Sequence, residues 1–258
     1  MTKISAVIVA HNEEKKITNC LESLNFVDEI IVVLDKCSDK TKQIVEEYIN
    51  KTKPGKIIEG SWNIEGARRN VALNNASNNW ILELDADERI STELAREIMS
   101  EIINSKPCAF VVPIANYIGK RYVKYGWIRT LGVLKRQTIH YKGLKKYHED
   151  KEIHPTADLK AEIKYLKNPI IHLVDDNISD LLLRFNRYTN WRAADLSLNE
   201  KKEKSLFGKI YDFKLRFIKS FIFKKGYKEG SLGFLIAILS ALYPLVSYLK
   251  AKEKNENC

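Results

Sequence analysis

The chain has 258 residues, 45% hydrophobic and 29% charged, with a formal net charge of +10. That length and balance exclude wholesale disorder and leave room for one large domain, or one domain with an appendage, around a substantial core. Its four cysteines, Cys20, Cys37, Cys108 and Cys258, show neither metal-finger nor redox spacing, so reduced thiols in a cytosolic protein are expected rather than a disulfide scaffold.

Ile4–Ala10 (ISAVIVA) is short, β-branched and continuously apolar, the pattern of a strand buried on both faces. It is too short for a secretory signal, and His11-Asn12-Glu13-Glu14 follows at once. A helix follows, with Ile17, Cys20, Leu21 and Leu24 on one face. Glu29–Asp35 (EIIVVLD) is a second buried strand that ends on a carboxylate. Ser38 or Asp39 caps a helix running to about residue 50. Pro54-Gly55 turns the chain into a strand over 56–61, and 65–76 forms a helix carrying Arg68, Arg69 and Asn70. The fourth strand, WILELDADERI over 80–90, drives an apolar run into Asp85, Asp87 and Glu88, and a helix follows from about 92 to 104.

Four strand–helix repeats argue for a mostly parallel sheet covered on both faces. No glycine-rich phosphate loop follows any strand, and neither a Walker lysine motif nor a dinucleotide fingerprint is present. Carboxylates ending strands two and four are the candidate chemistry instead. Asp-x-Asp at the carboxyl end of a parallel strand suits a metal and a phosphate; the alternative is a solvated acidic turn leading into a helix capped by Ser91 or Thr92.

After Pro107 the alternation changes. Residues 109–114, 119–124 and 131–136 read as strands of a mixed region, and aromatic and basic residues then interleave through Trp127, Arg129, His140, Tyr141, Tyr147 and His148 to Glu149. Residues 170–174 form one more apolar strand. From 180 the apolar spacing is helical, so the division falls near 177: an α/β part over 1–177 and a helical extension over 178–258. Residues 201–228 hold 10 Lys/Arg and 2 Asp/Glu, leaving 33 basic against 31 acidic in the remainder. With Leu206, Phe207, Ile210, Phe213, Phe217, Ile218, Phe221 and Ile222 interleaved, this segment reads as an amphipathic basic helix suited to an anionic membrane, or as a face packed on the rest of the protein. Residues 230–249 are uncharged, about 30 Å as a helix. Gly233 and Pro244 weaken such a helix without forbidding it, and a span and an in-plane helix both stay open.

The succession VIVAHNEE, then EIIVVLD with SDKT behind it, then EGARRNVALNNASNNWILELDADE, resembles the family 2 glycosyltransferases. It is most like the small bacterial branch that adds sugars to the lipopolysaccharide core, where KYHE, RFNRY and FKKGYKEGSLG also have counterparts. The resemblance covers nearly the whole chain. It implies a GT-A-type α/β fold and an inverting transfer of a sugar from a nucleotide-sugar donor, with UDP favoured, to a lipid-linked or lipopolysaccharide-core acceptor. It implies a divalent metal, Mg²⁺ or Mn²⁺, bridging carboxylate and diphosphate. Asp87 would be the metal carboxylate, Asp85 the residue near the ribose and a second metal ligand, and Asp35 the partner of the nucleobase in a pocket lined by Ala10 and Glu13. Arg69 would contact base or phosphate, or simply pack on the sheet. His148-Glu149 matches the family's His-Glu pair, with Glu149 as the general base and His148 orienting the loop or the acceptor; a surface glutamate in a charged loop is the bland reading. His172 is a structural histidine or a site-lining one, and Trp127 stacks on a sugar or belongs to the core. One departure stands out: the family often has Asp-x-Gly-Ser-x-Asp after strand two, and here Asp35-Lys36-Cys37-Ser38-Asp39 puts Lys and Cys in the turn. The expected place is the cytoplasmic face of a bacterial inner membrane, peripheral or C-terminally anchored, with no nucleic-acid partner.

Two rival readings use the same residues. A haloacid-dehalogenase-like phosphatase also places Asp-x-Asp at a strand end, and Asp175-Asp176 imitates its late acidic pair. Arg89 four residues after Asp85, and the position of Asp-x-Asp on the fourth strand, oppose it. A non-catalytic membrane- or nucleic-acid-binding module would make the basic segment the working part.

Overall fold

The computed structural model describes residues 2–127, 135–150, 155–197 and 206–256. The chain divides into two compact units, Met1–Ile114 with Lys135–His172, and Ala115–Leu134 with Leu173–Cys258. The sequence division at 177 had kept 115–134 with the N-terminal part; the structure groups that segment with the C-terminal helices.

In the first unit, strands β1 (Ile4–Ala10), β2 (Glu29–Asp35), β3 (Gly55–Gly60) and β4 (Trp80–Asp85) run parallel in the order β3-β2-β1-β4. A two-residue β5 (Glu88–Arg89) leaves the acidic turn, β6 (Ala109–Ile118) follows, and after β7 (Arg121–Tyr122) the strand β8 (Lys135–Tyr141) inserts antiparallel between β4 and β6. β9 (Lys145–Tyr147) and β10 (Ala157–Leu159) make a separate hairpin, β11 (Ile163–Tyr165) adds parallel to β6, and β12 (Ile170–Asp175) pairs with β5 through Ile171 and His172. Helices α1 (Ile17–Glu22), α2 (Thr41–Thr52), α3 (Glu65–Asn75) and α4 (Thr92–Asn104) connect the parallel strands, the last with Ser91 Oγ accepting from Leu94 N at 3.2 Å.

Two expected strands differ. The segment 119–124 shrinks to β7, because the Lys124 and Tyr125 amides donate to the Glu229 carboxylate at 2.9 and 3.1 Å instead of to a neighbouring strand. Of the strand expected over 131–136, residues 131–134 lie outside the described residues, and β8 runs on to Tyr141 into the stretch where aromatic and basic residues interleave.

Strand parity explains the continuous apolar runs. Ile4, Ala6, Ile8 and Ala10, with Ile30, Val32, Leu34, Leu82 and Leu84, pack in one cluster that also takes side chains from α1, α2 and α4. Val7, Ile31, Val33 and Ile81 belong to the other cluster, with Ala72 and Leu73 of α3 and Tyr147 of β9. Side chains alternate faces along a strand, so Glu29, Asp35, Glu83 and Asp85 all share the α3 side. On β1, β2 and β4 the first face is wholly apolar; the second is where β2 and β4 keep their carboxylates.

The buried Glu29 shows how such a group is kept. Its oxygens accept from Ser5 Oγ at 2.6 Å and from Ser77 N and Oγ at 2.8 Å each, tying the start of β2 to β1 and to the turn before β4. Burial pushes its carboxyl up, but these three donors outweigh burial and hold it below the usual carboxylate range.

In the second unit, α5 (Ile178–Ser197), α6 (Leu206–Ile218), a π-helical turn (Lys219–Phe223), a 3₁₀ turn (Gly226–Glu229) and α7 (Gly230–Glu256) surround a core of Ile118, Val123, Trp127, Leu181, Leu232 and Ile236. α7 runs unbroken through Pro244. A proline has no amide proton for the carbonyl four residues earlier, here that of Ser240. Arg216 Nε of α6 donates to Ser240 O at 2.9 Å, so a side chain from the neighbouring helix satisfies the carbonyl that the proline leaves open.

Two outcomes check this account. Glu29→Gln is expected to cost about 1–3 kcal/mol at neutral pH. A depressed carboxylate stabilises above its unfolded value of 4.5, so denaturant titrations should show the difference from the parent closing as pH falls through the lower native value. Arg216→Met should cost a similar amount, and less in a Pro244→Ala background where the backbone bond returns; a double-mutant cycle with no coupling would refute the compensation.

Candidate active site

The site is built around one turn of α3. Arg68 bonds Asp35 of β2, Arg69 Nη2 lies 3.2 Å from Asp85 Oδ1 of β4, and Asn70 holds the chain after β9. Arg69 is itself fixed by Glu65 one turn back, at 2.8 Å, and its guanidinium lies over the Tyr147 ring at 5.7 Å.

Asp85 receives two guanidiniums. Arg136 of β8 donates from Nη1 to Asp85 Oδ2 at 2.5 Å and from Nη2 to Glu88 Oε2, which also accepts from the Asp85 amide at 2.9 Å. Burial pushes the Asp85 carboxyl up; Arg136 and Arg69 outweigh it and hold the group well below the usual carboxylate range. Glu88 is 1% exposed; burial and the Asp85 charge push its carboxyl up even with Arg136 beside it. Asp87 is held differently. His172 Nε2, brought alongside by the β12–β5 pairing, lies 3.4 Å from Asp87 Oδ2. Burial opposes ionisation of both, and their mutual attraction wins, lowering Asp87 and raising His172.

The turns after β1 and β2 are stitched together. Asn12, at φ +55°, accepts on Oδ1 from the Ser38 amide at 2.8 Å, while the Glu13 amide donates to Thr41 Oγ1 at 2.8 Å. Cys37 Sγ sits 3.5 Å from Ala10 O. In the turn that departs from the family pattern the left-handed residue is Lys36, at φ +52°, with Nζ on Asn63 Oδ1 at 3.0 Å. Asp35 is 3% exposed, and its oxygens already accept from the Trp62 amide at 3.0 Å and from Arg68. Arg68 thus ties this carboxylate to α3.

The loop bearing His148 and Glu149 docks on the same helix. Asn70 Nδ2 donates to Tyr147 O and to Glu149 Oε1, both at 2.9 Å, and Asn70 Oδ1 accepts from the Tyr147 amide at 2.9 Å. One turn earlier Gly66 lies so close that a Cβ there would stand 2.1 Å from the His148 carbonyl oxygen. Glu149 is exposed, with one oxygen held by Asn70. His148 Nε2 faces Asp158 of β10 at 3.0 Å, which fits a loop-holding side chain. Under the loop, buried Glu83 accepts from Lys145 Nζ at 2.5 Å and Tyr147 Oη at 2.7 Å, with His140 Nε2 at 3.2 Å. Burial opposes ionisation of both Glu83 and Lys145; at Glu83 the Lys145 charge, His140 and Arg69 together outweigh it and lower the carboxyl, while at Lys145 burial wins and the ammonium is lowered.

The first unit therefore sets Ala10, Asp35 and Asp85 at the carboxyl ends of the adjacent strands β1, β2 and β4, with Glu13 in the turn after β1; it pairs Arg69 with Asp85 and His172 with Asp87, and holds Glu149 through Asn70. Trp127 is corrected: it is 1% exposed in the second unit, with Nε1 donating to Val123 O at 2.6 Å, so it is a core residue with no ring face for a sugar. Asp175 of the phosphatase reading is likewise buried, in a two-point pair with Arg184 at 2.9 Å. Sequence reasoning placed Asn70 on the right helix without a partner for it, and passed over Arg136 and the Glu83–Lys145 pair. The available signal was lysine and arginine inside strands facing a carboxylate-bearing strand.

Among the described residues no three carboxylate, imidazole or thiolate groups converge to cage a metal unaided. A Mg²⁺-like ion takes one or two protein carboxylates and fills its shell with water and phosphate oxygens. The Asp87 side chain is 26% exposed and lies clear of the arginine pair that holds both oxygens of Asp85.

Residues 5–158 match the model of "Glycosyl transferase family 2". A lipopolysaccharide core biosynthesis glycosyltransferase of Rhizobium meliloti, LpsC, is 24% identical over 98% of this chain and 93% of its own length. A poly(ribitol-phosphate) β-N-acetylglucosaminyltransferase of Staphylococcus aureus, TarS, is 36% identical over 38% of this chain and 18% of its own. The crystal structure of residues 1–349 of TarS with UDP-GlcNAc superposes with a TM-score of 0.55 at 20% identity, covering 99% of this chain and 92% of that one. Those structures share the fold.

Asn70→Ala is expected to lower turnover at least tenfold with little change in donor KM, because it frees the Glu149 loop and leaves the carboxylates of β2 and β4 in place. A rise in donor KM with unchanged kcat would contradict that division of labour.

Proposed function

Because the chain belongs to glycosyl transferase family 2, whose enzymes invert, we propose that it carries a sugar from a UDP-sugar donor to a lipid-linked or lipopolysaccharide-core acceptor. The match to LpsC along 98% of the chain supports the acceptor. The fold shared with TarS, whose structure holds UDP-GlcNAc, supports the nucleotide. The observation that carries the reading is the single helical turn in which Arg69 fixes Asp85 and Asn70 fixes Glu149.

The chemistry divides between those two carboxylates. Glu149, steered through one oxygen by Asn70, uses the other to take the proton of the acceptor hydroxyl. The freed oxygen forms its bond to the anomeric carbon on the face opposite the leaving group, the bond from that carbon to the phosphate oxygen breaks, and the nucleoside diphosphate leaves with the electron pair. Configuration inverts, so an α-linked donor gives a β-linked product. A bound Mg²⁺ or Mn²⁺ would supply Lewis-acid neutralisation of the departing diphosphate, and Asp87 with Asp85 are the residues that would hold it. Arg136 and Arg69 keep Asp85 ionised for that task. Asp35 and Arg68, with Ala10 and Glu13, line the side where the nucleobase and ribose are proposed to lie, and His148 braces the loop under Glu149. The second unit is proposed to hold the enzyme at the cytoplasmic face of a bacterial inner membrane, where a lipid-linked acceptor resides; its support is the basic, apolar composition of 201–249.

Glu149→Gln and Asp87→Asn should each lower turnover about 100- to 10,000-fold. Only Asp87→Asn should also weaken metal-dependent nucleotide binding, read by thermal shift with and without Mn²⁺ across a panel of nucleotide sugars. Normal turnover by Glu149→Gln would remove Glu149 from the role of base.

A further inference from the structure

The one described helix long and apolar enough to cross a membrane, over Gly226–Asn255, is tied to its neighbours by polar contacts along its length. Of the large apolar side chains described on α7, only Phe234 and Leu249 are exposed. Midway along the apolar run Arg216 of α6 donates to Ser240 O, and near the far end Lys250 Nζ reaches Asn186 Oδ1, Thr189 Oγ1 and Asn190 Oδ1 of α5 at 2.6–2.8 Å. A transbilayer α7 would carry a guanidinium and two flanking helices rich in charge and amide groups into hydrocarbon, where such groups are costly.

The lipid-compatible surface lies on the neighbouring helix. Ile210, Tyr211, Leu215, Ile218 and Ile222 are all exposed, and their spacing places them on one stripe of α6 and the turn that continues it. Phe223, 75% exposed, closes the stripe. Lys214 interrupts it near its start, and Lys219, Lys224, Lys225 and Lys228 are exposed beside and beyond its far end. The one acid of the following turn, Glu229, is buried against Arg121 and the Lys124 and Tyr125 amides, so it does not offset them. The turn is seated firmly: Phe221 packs edge-on to Phe234 and Tyr227, and a Cβ on Gly233 would stand 1.9 Å from Gly226 O.

We infer that the exposed stripe of α6 and the lysine-ringed turn after it form an in-plane docking surface for an anionic lipid bilayer, and that α7 supports this surface without crossing the membrane. An apolar stripe flanked by lysines is complementary to acyl chains beneath anionic headgroups. The inference deepens the membrane association proposed above and stands apart from the transfer chemistry, since its readout is binding rather than turnover.

The test uses the full-length chain in flotation with phosphatidylcholine vesicles, with and without phosphatidylglycerol, and in alkaline carbonate extraction of membranes from expressing cells. The parent should float with the phosphatidylglycerol vesicles only and be released by carbonate. Ile218→Asp with Ile222→Asp should abolish flotation. Lys219→Glu with Lys224→Glu should weaken it at least 25-fold, about fivefold per neutralised lysine; both pairs are surface changes and should leave the thermal unfolding midpoint and UDP binding unaltered. Retention after carbonate would make α7 a span and overturn the inference. So would failure of the parent to float, and so would a parent dimer that the Ile218/Ile222 pair converts to monomer without a loss of vesicle binding, which would assign the stripe to a second copy.

Discussion

The site rests on consecutive side chains of α3 diverging to three separate parts of the first unit. Arg68 reaches β2, Arg69 reaches β4, and Asn70 reaches the loop beyond β9. A helix rotates about 100° per residue, so neighbours in sequence fan outward, and one rigid turn sets the distances among three strand ends. The carboxylates it gathers repel one another and lose hydration on burial. Arg69 and Arg136 make their proximity tolerable, and in return they keep Asp85 ionised at any physiological pH.

Much of this was legible in the residues. The four parallel strands, the helices between them and the acidic strand ends follow from short β-branched runs separated by helical periods. The gathering of carboxylates on one face was written there too, in parity: Glu29, Ile31, Val33 and Asp35 alternate with Ile30, Val32 and Leu34, and Ile81, Glu83 and Asp85 with Leu82 and Leu84. Only the face with α3 holds the polar members. What the sequence concealed were partners far along the chain. Arg136 lies 51 residues from Asp85 and Asn70 lies 79 from Glu149; no local pattern links such pairs. The extra length of β8 was hidden for a related reason, since its Thr138 and His140 are polar yet fully buried, His140 against Glu83.

The C-terminal segment teaches the opposite lesson. Its apolar run was plain, yet hydropathy alone does not separate a helix bathed in lipid from one enclosed by its own protein. What distinguishes this helix is the arrangement around Pro244: a carbonyl stripped of its helical partner is answered by an arginine of the neighbouring helix. The amphipathic α6, by contrast, kept its apolar stripe outward.

Gly66 has a consequence for how this scaffold tolerates change. With 2.1 Å between its missing Cβ and the His148 carbonyl, the helix and the loop are separated by a single backbone thickness. That thickness works as a shim. Any side chain there, even a methyl group, would lift the loop away from the helix and lengthen every bond Asn70 makes to it. The reach of Glu149 is therefore calibrated by an atom that is absent, and the position is closed to diversification by packing alone.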